Sequence, residues 1–360
     1  MASQALINAL AAVDAEVGGK EEFALVGAKI RGLLIGYDAR WGSQTYQIHD
    51  VENTLTAPLY NPETGKPSRS YLLAGKLDVT MTDDMMRKVL MDHKTCSEDI
   101  EDPNASYWRQ LMIEAQPTTY MLLSHLNGER IDYAIWDVVR KPSIAPRQVT
   151  KAERMEIAKT GMYFGFEAQA VDKETLAMYT ARLAHDCTIE RPQRYFQRRQ
   201  VARLDQQIFD QAAEIWEHSQ TLLEERRRDR HVRNGDACMN YGTPCTFLGI
   251  CSGYDDPNSE KWRKKALKHA ELPASAQMNS DLQLITVSRI KSFSTCKAKH
   301  FYEFELGIER ADAEERESLW FGTAWHKAME AYFLAQKKEG NNGNTSDVST
   351  IAAESSFTTV

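Results

Sequence analysis

Phe23, Val26, Ile30, Leu33 and Leu34 recur at three- and four-residue steps, the spacing of one helical face, and predict a helix that ends near Gly36. The alanine-rich stretch before it, residues 1–19, reads as a first amphipathic helix. Over residues 45–59 the pattern turns extended, and Asn61-Pro62-Glu63-Thr64-Gly65-Lys66-Pro67 is turn-rich enough to connect two strands. Residues 71–81 and 88–95 are apolar runs joined by the polar turn Thr82-Asp83-Asp84, the pattern of an antiparallel hairpin. A loop at 99–104, a helix over about 105–126 and a strand over 131–140, stopped by Lys141-Pro142, come next. Beyond Thr150 the chain reads as helical and highly charged, with a long helix over about 203–230. Residues 337–360, rich in Asn, Gly, Ser and Thr, read as a flexible tail.

With 360 residues the chain can form one large domain or two modest ones. Its 42% hydrophobic and 26% charged residues are the balance of a soluble globular protein, and no apolar run reaches the roughly 18 residues of a membrane helix. Residues 1–19 carry Asp14 and Glu16 and no Lys or Arg, which does not fit a signal peptide, so a cytoplasmic setting without membrane contact is expected. Forty-four Lys and Arg against 51 Asp and Glu leave a net charge of −7, so any nucleic acid must be held by a local basic surface. Two stretches offer one. Arg191, Arg194, Arg198, Arg199 and Arg203 fall on a strand-like segment, and Arg226, Arg227, Arg228, Arg230 and Arg233 end the long helix. Charge pattern alone fits a solvated face balanced by Glu224 and Glu225 equally well.

Strand geometry brings chemistry together at the hairpin. Residues two apart share a face, so Asp92 and Lys94 project together, while His93 points away and offers only its backbone carbonyl to that side. Asp78, on the preceding strand in Gly75-Lys76-Leu77-Asp78, can stand beside Asp92. Two carboxylates so close repel unless a cation lies between them, and hard oxygen ligands suit Mg²⁺ or Mn²⁺. A lysine beside such a metal can orient or help deprotonate a water, the kit for phosphodiester hydrolysis. Alone, an acid-x-Lys tripeptide is more often a surface salt bridge. Gln116 and Tyr120, four apart on one helical face, would alone read as the polar edge of a core.

Together these pieces resemble the PD-(D/E)xK nuclease superfamily and its RecB-like branch. That family runs in the order G-x-x-x-H helix, G-x-x-D strand, (D/E)-x-K strand and Q-x-x-x-Y helix. Gly75 to Asp78, Asp92 to Lys94 and Gln116 to Tyr120 match the last three in order. Val51-Glu52, His93-Lys94-Thr95, Tyr107-Trp108-Arg109 and Arg140-Lys141-Pro142 look like the surroundings in phage and bacterial members. Pro117 departs from the pattern, since a proline inside a helix costs about 3 kcal/mol, and a kink or restart is expected there. The first element occurs late instead, as Gly322-Thr323-Ala324-Trp325-His326, preceded by a segment from Thr286 to Phe304 that resembles the opening of RecB-like domains. The simplest account is one circularly permuted domain, the rival a truncated second copy or a mis-joined gene. On this reading residues 1–275 hold the nuclease core and the cysteine region, 276–336 resemble the domain's N-terminal part, and 337–360 are the tail.

Six cysteines in a chain expected to be cytoplasmic point to thiols, metal ligands or cluster ligands rather than disulfides. Cys238, Cys245 and Cys251 are spaced more widely than the two to four residues of a zinc knuckle. In RecB-like nucleases of the AddB and CRISPR-associated types, three cysteines after the core and one before it hold a [4Fe–4S] cluster. The resemblance therefore implies Cys296 as a fourth ligand beside Cys238, Cys245 and Cys251. Zinc and unligated thiols stay open, and Cys96 and Cys187 read as ordinary thiols.

The resemblance implies an α/β (α+β) restriction-endonuclease-like fold, with a mixed central sheet flanked by helices and an iron–sulfur-stapled helical region. It implies a Mg²⁺- or Mn²⁺-dependent deoxyribonuclease, an exonuclease. Asp78, Asp92, His326 and the carbonyl of His93 would bind metal, Lys94 would position water, and Gln116 and Tyr120 would hold DNA or steady the lysine. Arg194, Arg198 and Arg199 would contact phosphate, and a helicase or recombination protein is an implied partner. The alternatives are a non-catalytic DNA-binding or assembly subunit and a zinc-stabilised interaction module.

Overall fold

The two helices that precede the sheet are α1 (Gln4–Val17), capped by Ser3, whose hydroxyl accepts from the Leu6 N–H, and α2 (Ala24–Trp41). They belong to a computed structural model that describes residues 2–44, 46–240, 242–265, 282–312 and 317–354. α2 runs past Gly36, where an end was expected. That glycine serves packing instead, since a Cβ there would stand 2.5 Å from the Cys187 Cβ and 2.9 Å from the Phe196 ring.

Strands β1 (Gln47–Tyr60), β2 (Pro67–Thr82) and β3 (Lys88–Cys96) follow. The last two form the expected hairpin, its turn closed by Asp83 Oδ1, which accepts from the N–H groups of Met85 and Arg87. The helix expected over 105–126 is in fact two, α3 (Ser106–Met112) and α4 (Ala115–Leu126). Pro117 thereby falls in the first turn of α4, where a missing N–H costs no hydrogen bond, and the penalty of an interior proline does not arise. Next come β4 (Tyr133–Arg140), α5 (Lys151–Thr160), α6 (Leu176–His185), β5 (Phe196–Val201) and α7 (Asp205–Arg228). The strand-like arginine segment divides into a short helix, Pro192–Tyr195, and β5. β6 (Gln283–Ile285), α8 (Val287–Thr295) and α9 (Glu317–Glu354) complete the order. α9 takes in part of the stretch read as a tail; the junction expected at 276 and residues 355–360 lie outside the described residues.

Among the described residues the sheet has six strands, with β1 to β5 side by side in chain order and β6 added parallel to β2 through Gln283↔Tyr71 and Ile285↔Leu73. The β3–β4 and β2–β6 pairs are parallel and the β1–β2, β2–β3 and β4–β5 pairs antiparallel, which makes the sheet mixed. One core lies among α1, α2, α6, α9, Val79, Met81, Met91 and Phe196. A second lies among α4, α7, α8, Leu73, Leu77, Leu90 and Trp136. Helices therefore cover both sides, as the restriction-endonuclease-like class requires. α9 buries Trp320, Phe321, Trp325, Met329, Tyr332 and Phe333, and Trp320 stacks on Phe23 at 4.4 Å. Truncating one such tryptophan to alanine costs about 3–5 kcal/mol. The last helix is thus bound into the same core as the first two. No helix of the described residues is long and apolar enough to cross a membrane.

Candidate functional site

β2 changes the core it serves at Asp78, because Leu77 packs into one and Val79 into the other. The β2–β3 ladder stops at Val79↔Met91, and Asp78 and Asp92 are the next residue on each strand, set where the two part. Asp78 Oδ2 accepts from the backbone N–H of His93 at 2.8 Å. Asp92 is buried, with Lys94 Nζ 2.6 Å from its Oδ2. The late start of α4 aims Gln116 at this pair. Its Oε1 accepts from Lys94 Nζ at 2.8 Å, and its Nε2 donates to Asp92 Oδ1 at 2.9 Å and to the Tyr120 hydroxyl at 3.1 Å. Gly75 makes room for that tyrosine, since a Cβ there would stand 2.8 Å from the ring. Asp92, Lys94, Gln116 and Tyr120 are therefore one hydrogen-bonded chain, and the spacing rule that put the acid and the lysine on one face holds.

His326 arrives from the other end of the sequence, on α9, with Nδ1 3.8 Å from Asp78 Oδ2. Burial, and then the charge of Asp92, push the Asp78 carboxyl up to about 7. Burial, and then the positive neighbours His93, Lys94 and Lys76, hold His326 down at about 3, so it is a neutral imidazole with a lone pair to offer. Burial works against the Lys94 charge, yet Asp92 outweighs it and the lysine stays a cation. A carboxyl that keeps its proton to about pH 7 beside a second carboxylate and a neutral imidazole offers two oxygen donors and one nitrogen donor to a cation. A divalent ion fits there by displacing that proton.

Glu52 is the residue that sequence reasoning did not assign. Ligand atoms of Glu52, Asp78 and His326 all lie within 4.8 Å of one another. Val51 pairs with Val79 and Asn53 with Leu77, which sets Glu52 across from Asp78, and its φ of 54° is the left-handed region that a glutamate rarely adopts. Lys76 Nζ stands 2.5 Å from Glu52 Oε2. Strand periodicity carries no mark of a backbone that leaves strand geometry; the only sequence signal was the family-like Val51-Glu52 pair.

The other expected residues scatter. The His93 ring is buried away from Asp92, with Nδ1 2.8 Å from Asp137 Oδ2. Arg198 does not face outward as a phosphate contact would. The β4–β5 register sets it opposite Asp137, to whose Oδ1 its Nε donates at 2.7 Å, so it is a buried ion-pair partner. Arg199 lies 3.9 Å over the Trp108 ring and donates to the Pro103 carbonyl, while Arg194 is half-buried. At the end of α7, Arg226 pairs with Glu305 at 3.2 Å and Arg228 with Glu224 at 2.7 Å.

Cys238, Cys245, Cys251 and Cys296 are half-buried, and short turns rather than long helices carry them. The Asn234 N–H donates to Cys296 Sγ at 3.4 Å and its amide to the Thr295 carbonyl at 2.9 Å. The Cys245 N–H donates to the Cys238 carbonyl at 2.8 Å, and Arg233 to the Cys251 carbonyl at 2.5 Å. Burial and then Cys245, Cys296 and Cys238 push the Cys251 thiol up, so the four share one neighbourhood. Cys96 and Cys187 are buried free thiols.

Residues 284–356 match the family model of the PD-(D/E)XK nuclease superfamily. The match covers β6, α8 and α9, the segment that brings His326 to Asp78. Members of that superfamily typically hydrolyse nucleic acids with a divalent metal, usually Mg²⁺ or Mn²⁺. No curated protein and no solved structure matches the chain.

Proposed function

We propose that this protein is a metal-dependent deoxyribonuclease of RecB-like type, acting as an exonuclease, with one active site assembled from both ends of the chain. The observation that carries this reading is the meeting of Asp78, Asp92 and Lys94 with His326, which lies in the segment similar to the superfamily. Asp78, Asp92, His326, Glu52 and the carbonyl of His93 would hold Mg²⁺ or Mn²⁺. When bound, the metal supplies a lowered water pKa and charge stabilisation at the scissile phosphate. Lys94 orients the attacking water and Gln116 fixes the lysine, with Tyr120 behind it. The joint packing of α1, α2 and α9 favours a circularly permuted domain over a truncated second copy. Of the arginines, Arg194 and Arg199 remain for the DNA backbone, and a helicase or recombination protein is the partner that the resemblance implies.

The four gathered cysteines support a [4Fe–4S] cluster on Cys238, Cys245, Cys251 and Cys296, with the Asn234 N–H bond to sulfur typical of thiolate ligation.

The test is digestion of end-labelled single- and double-stranded DNA with EDTA, Mg²⁺ or Mn²⁺. Degradation only with metal is expected, and it should rise with pH up to about 7, because below that the metal must displace the Asp78 proton. A wild type inert with every metal would sink the nuclease reading in favour of a DNA-binding subunit.

A further inference from the structure

A polar cluster lies buried on the far side of the sheet from Asp92 and Lys94, and none of the catalytic roles above uses it. Asp137, on β4, stands between His93 on β3 and Arg198 on β5, as the registers His93↔Asp137 and Asp137↔Arg198 require. Its Oδ2 lies 2.8 Å from His93 Nδ1 and accepts from the Tyr37 hydroxyl of α2 at 2.6 Å, while its Oδ1 accepts from Arg198 Nε at 2.7 Å. Arg198 Nη2 also donates to the Tyr37 oxygen at 2.7 Å. His93 and Asp137 are each 1% exposed, a depth at which charged groups persist only when fully paired.

The same cluster is where α9 rests. The His93 ring stacks on Phe333 at 5.3 Å and meets the His326 ring edge-on at 6.2 Å. Tyr37 is met edge-on by Trp325 at 5.8 Å and by Tyr332 at 5.6 Å. His326 is thus flanked by contacts to the two rings that Asp137 orients. His93 Nε2 is buried and has no hydrogen-bond partner among the described residues, so the Asp137 bond is the hydrogen bond that sets how that ring is turned against Phe333. His93 also donates its backbone N–H to Asp78. Two proposed metal ligands, Asp78 and His326, therefore touch one residue whose orientation is set from behind.

We infer that Tyr37, Asp137 and Arg198 are positioning residues for the metal pocket, acting through His93 on Asp78 and His326. The inference rests on the nuclease reading. Partners behind a ligand commonly govern metal affinity by about 10- to 100-fold, because they fix ring orientation. Tyr37→Phe removes one hydroxyl and keeps the ring against Trp325 and Tyr332, so the fold persists. Asp137→Asn is the stronger change, but it leaves Arg198 buried without its counter-charge.

The test is Mn²⁺ titration of the full chain, with free Mn²⁺ read by electron paramagnetic resonance, for wild type, Tyr37→Phe, Asp137→Asn and Asp78→Asn, with Tm measured on each. Tyr37→Phe is expected to weaken Mn²⁺ binding about tenfold at near wild-type Tm, with kcat recovering at saturating Mn²⁺. Asp78→Asn should lose more affinity without such recovery. Unchanged Mn²⁺ affinity in Tyr37→Phe, whatever its Tm, would make the cluster a stabilising core only and overturn the inference while leaving the nuclease reading intact. A wild type that takes up no Mn²⁺ overturns both.

Discussion

Lys94→Ala is expected to lower the single-turnover rate of DNA cleavage by about 10²- to 10⁴-fold, the range for losing a positioned proton-transfer group. The side chain is half-buried, paired with Asp92 and tied to Gln116, which holds its ammonium next to the parted carboxylates. Removing it leaves Asp92 with the Gln116 amide as donor, which keeps the carboxylate from being stranded. Mn²⁺ affinity should therefore hold or tighten, since a competing cation has gone. Cleavage rates measured with enzyme in excess, beside a Mn²⁺ titration, separate the two effects. A loss of rate that tracks a loss of Mn²⁺ binding would make Lys94 a structural partner of Asp92 rather than a catalytic one.

The second large effect belongs to the cysteines. Protein purified without oxygen is expected to be brown, with broad visible absorption, and Cys251→Ser should lose the colour and the iron together. A shared cluster would tie the turns after α7 to the end of α8, two stretches distant in sequence, as a cross-link does. Its loss should cost stability on the scale of a native disulfide, about 2–5 kcal/mol, seen as a lower Tm. Metal analysis decides the matter, because a colourless protein with one zinc per chain would contradict the cluster, and one with neither metal would leave plain thiols.

The hairpin was legible in the sequence because strand alternation and a polar turn are local, and from it followed the shared face of Asp92 and Lys94 and the nearness of Asp78. Gln116 and Tyr120 were legible as one helical face, but the helix break that excuses Pro117 was not, since it depends on where α4 docks. Glu52 stayed unassigned because its φ of 54° departs from the periodicity that such reading rests on. Charge counts hold no register, so only the pairing of β4 with β5 reveals that Arg198 has a buried partner. Gly36 reads as a helix end from sequence, whereas a close approach from Phe196 explains it.

One active site built from opposite ends of the chain requires residues of both ends to serve one reaction. End-labelled DNA digested with Mg²⁺ or Mn²⁺ by wild type, Asp92→Ala and His326→Ala answers that. The expected result is cleavage by wild type and loss in both variants. Loss in Asp92→Ala with full activity in His326→Ala would contradict it, placing α9 beside the site without a share in its chemistry.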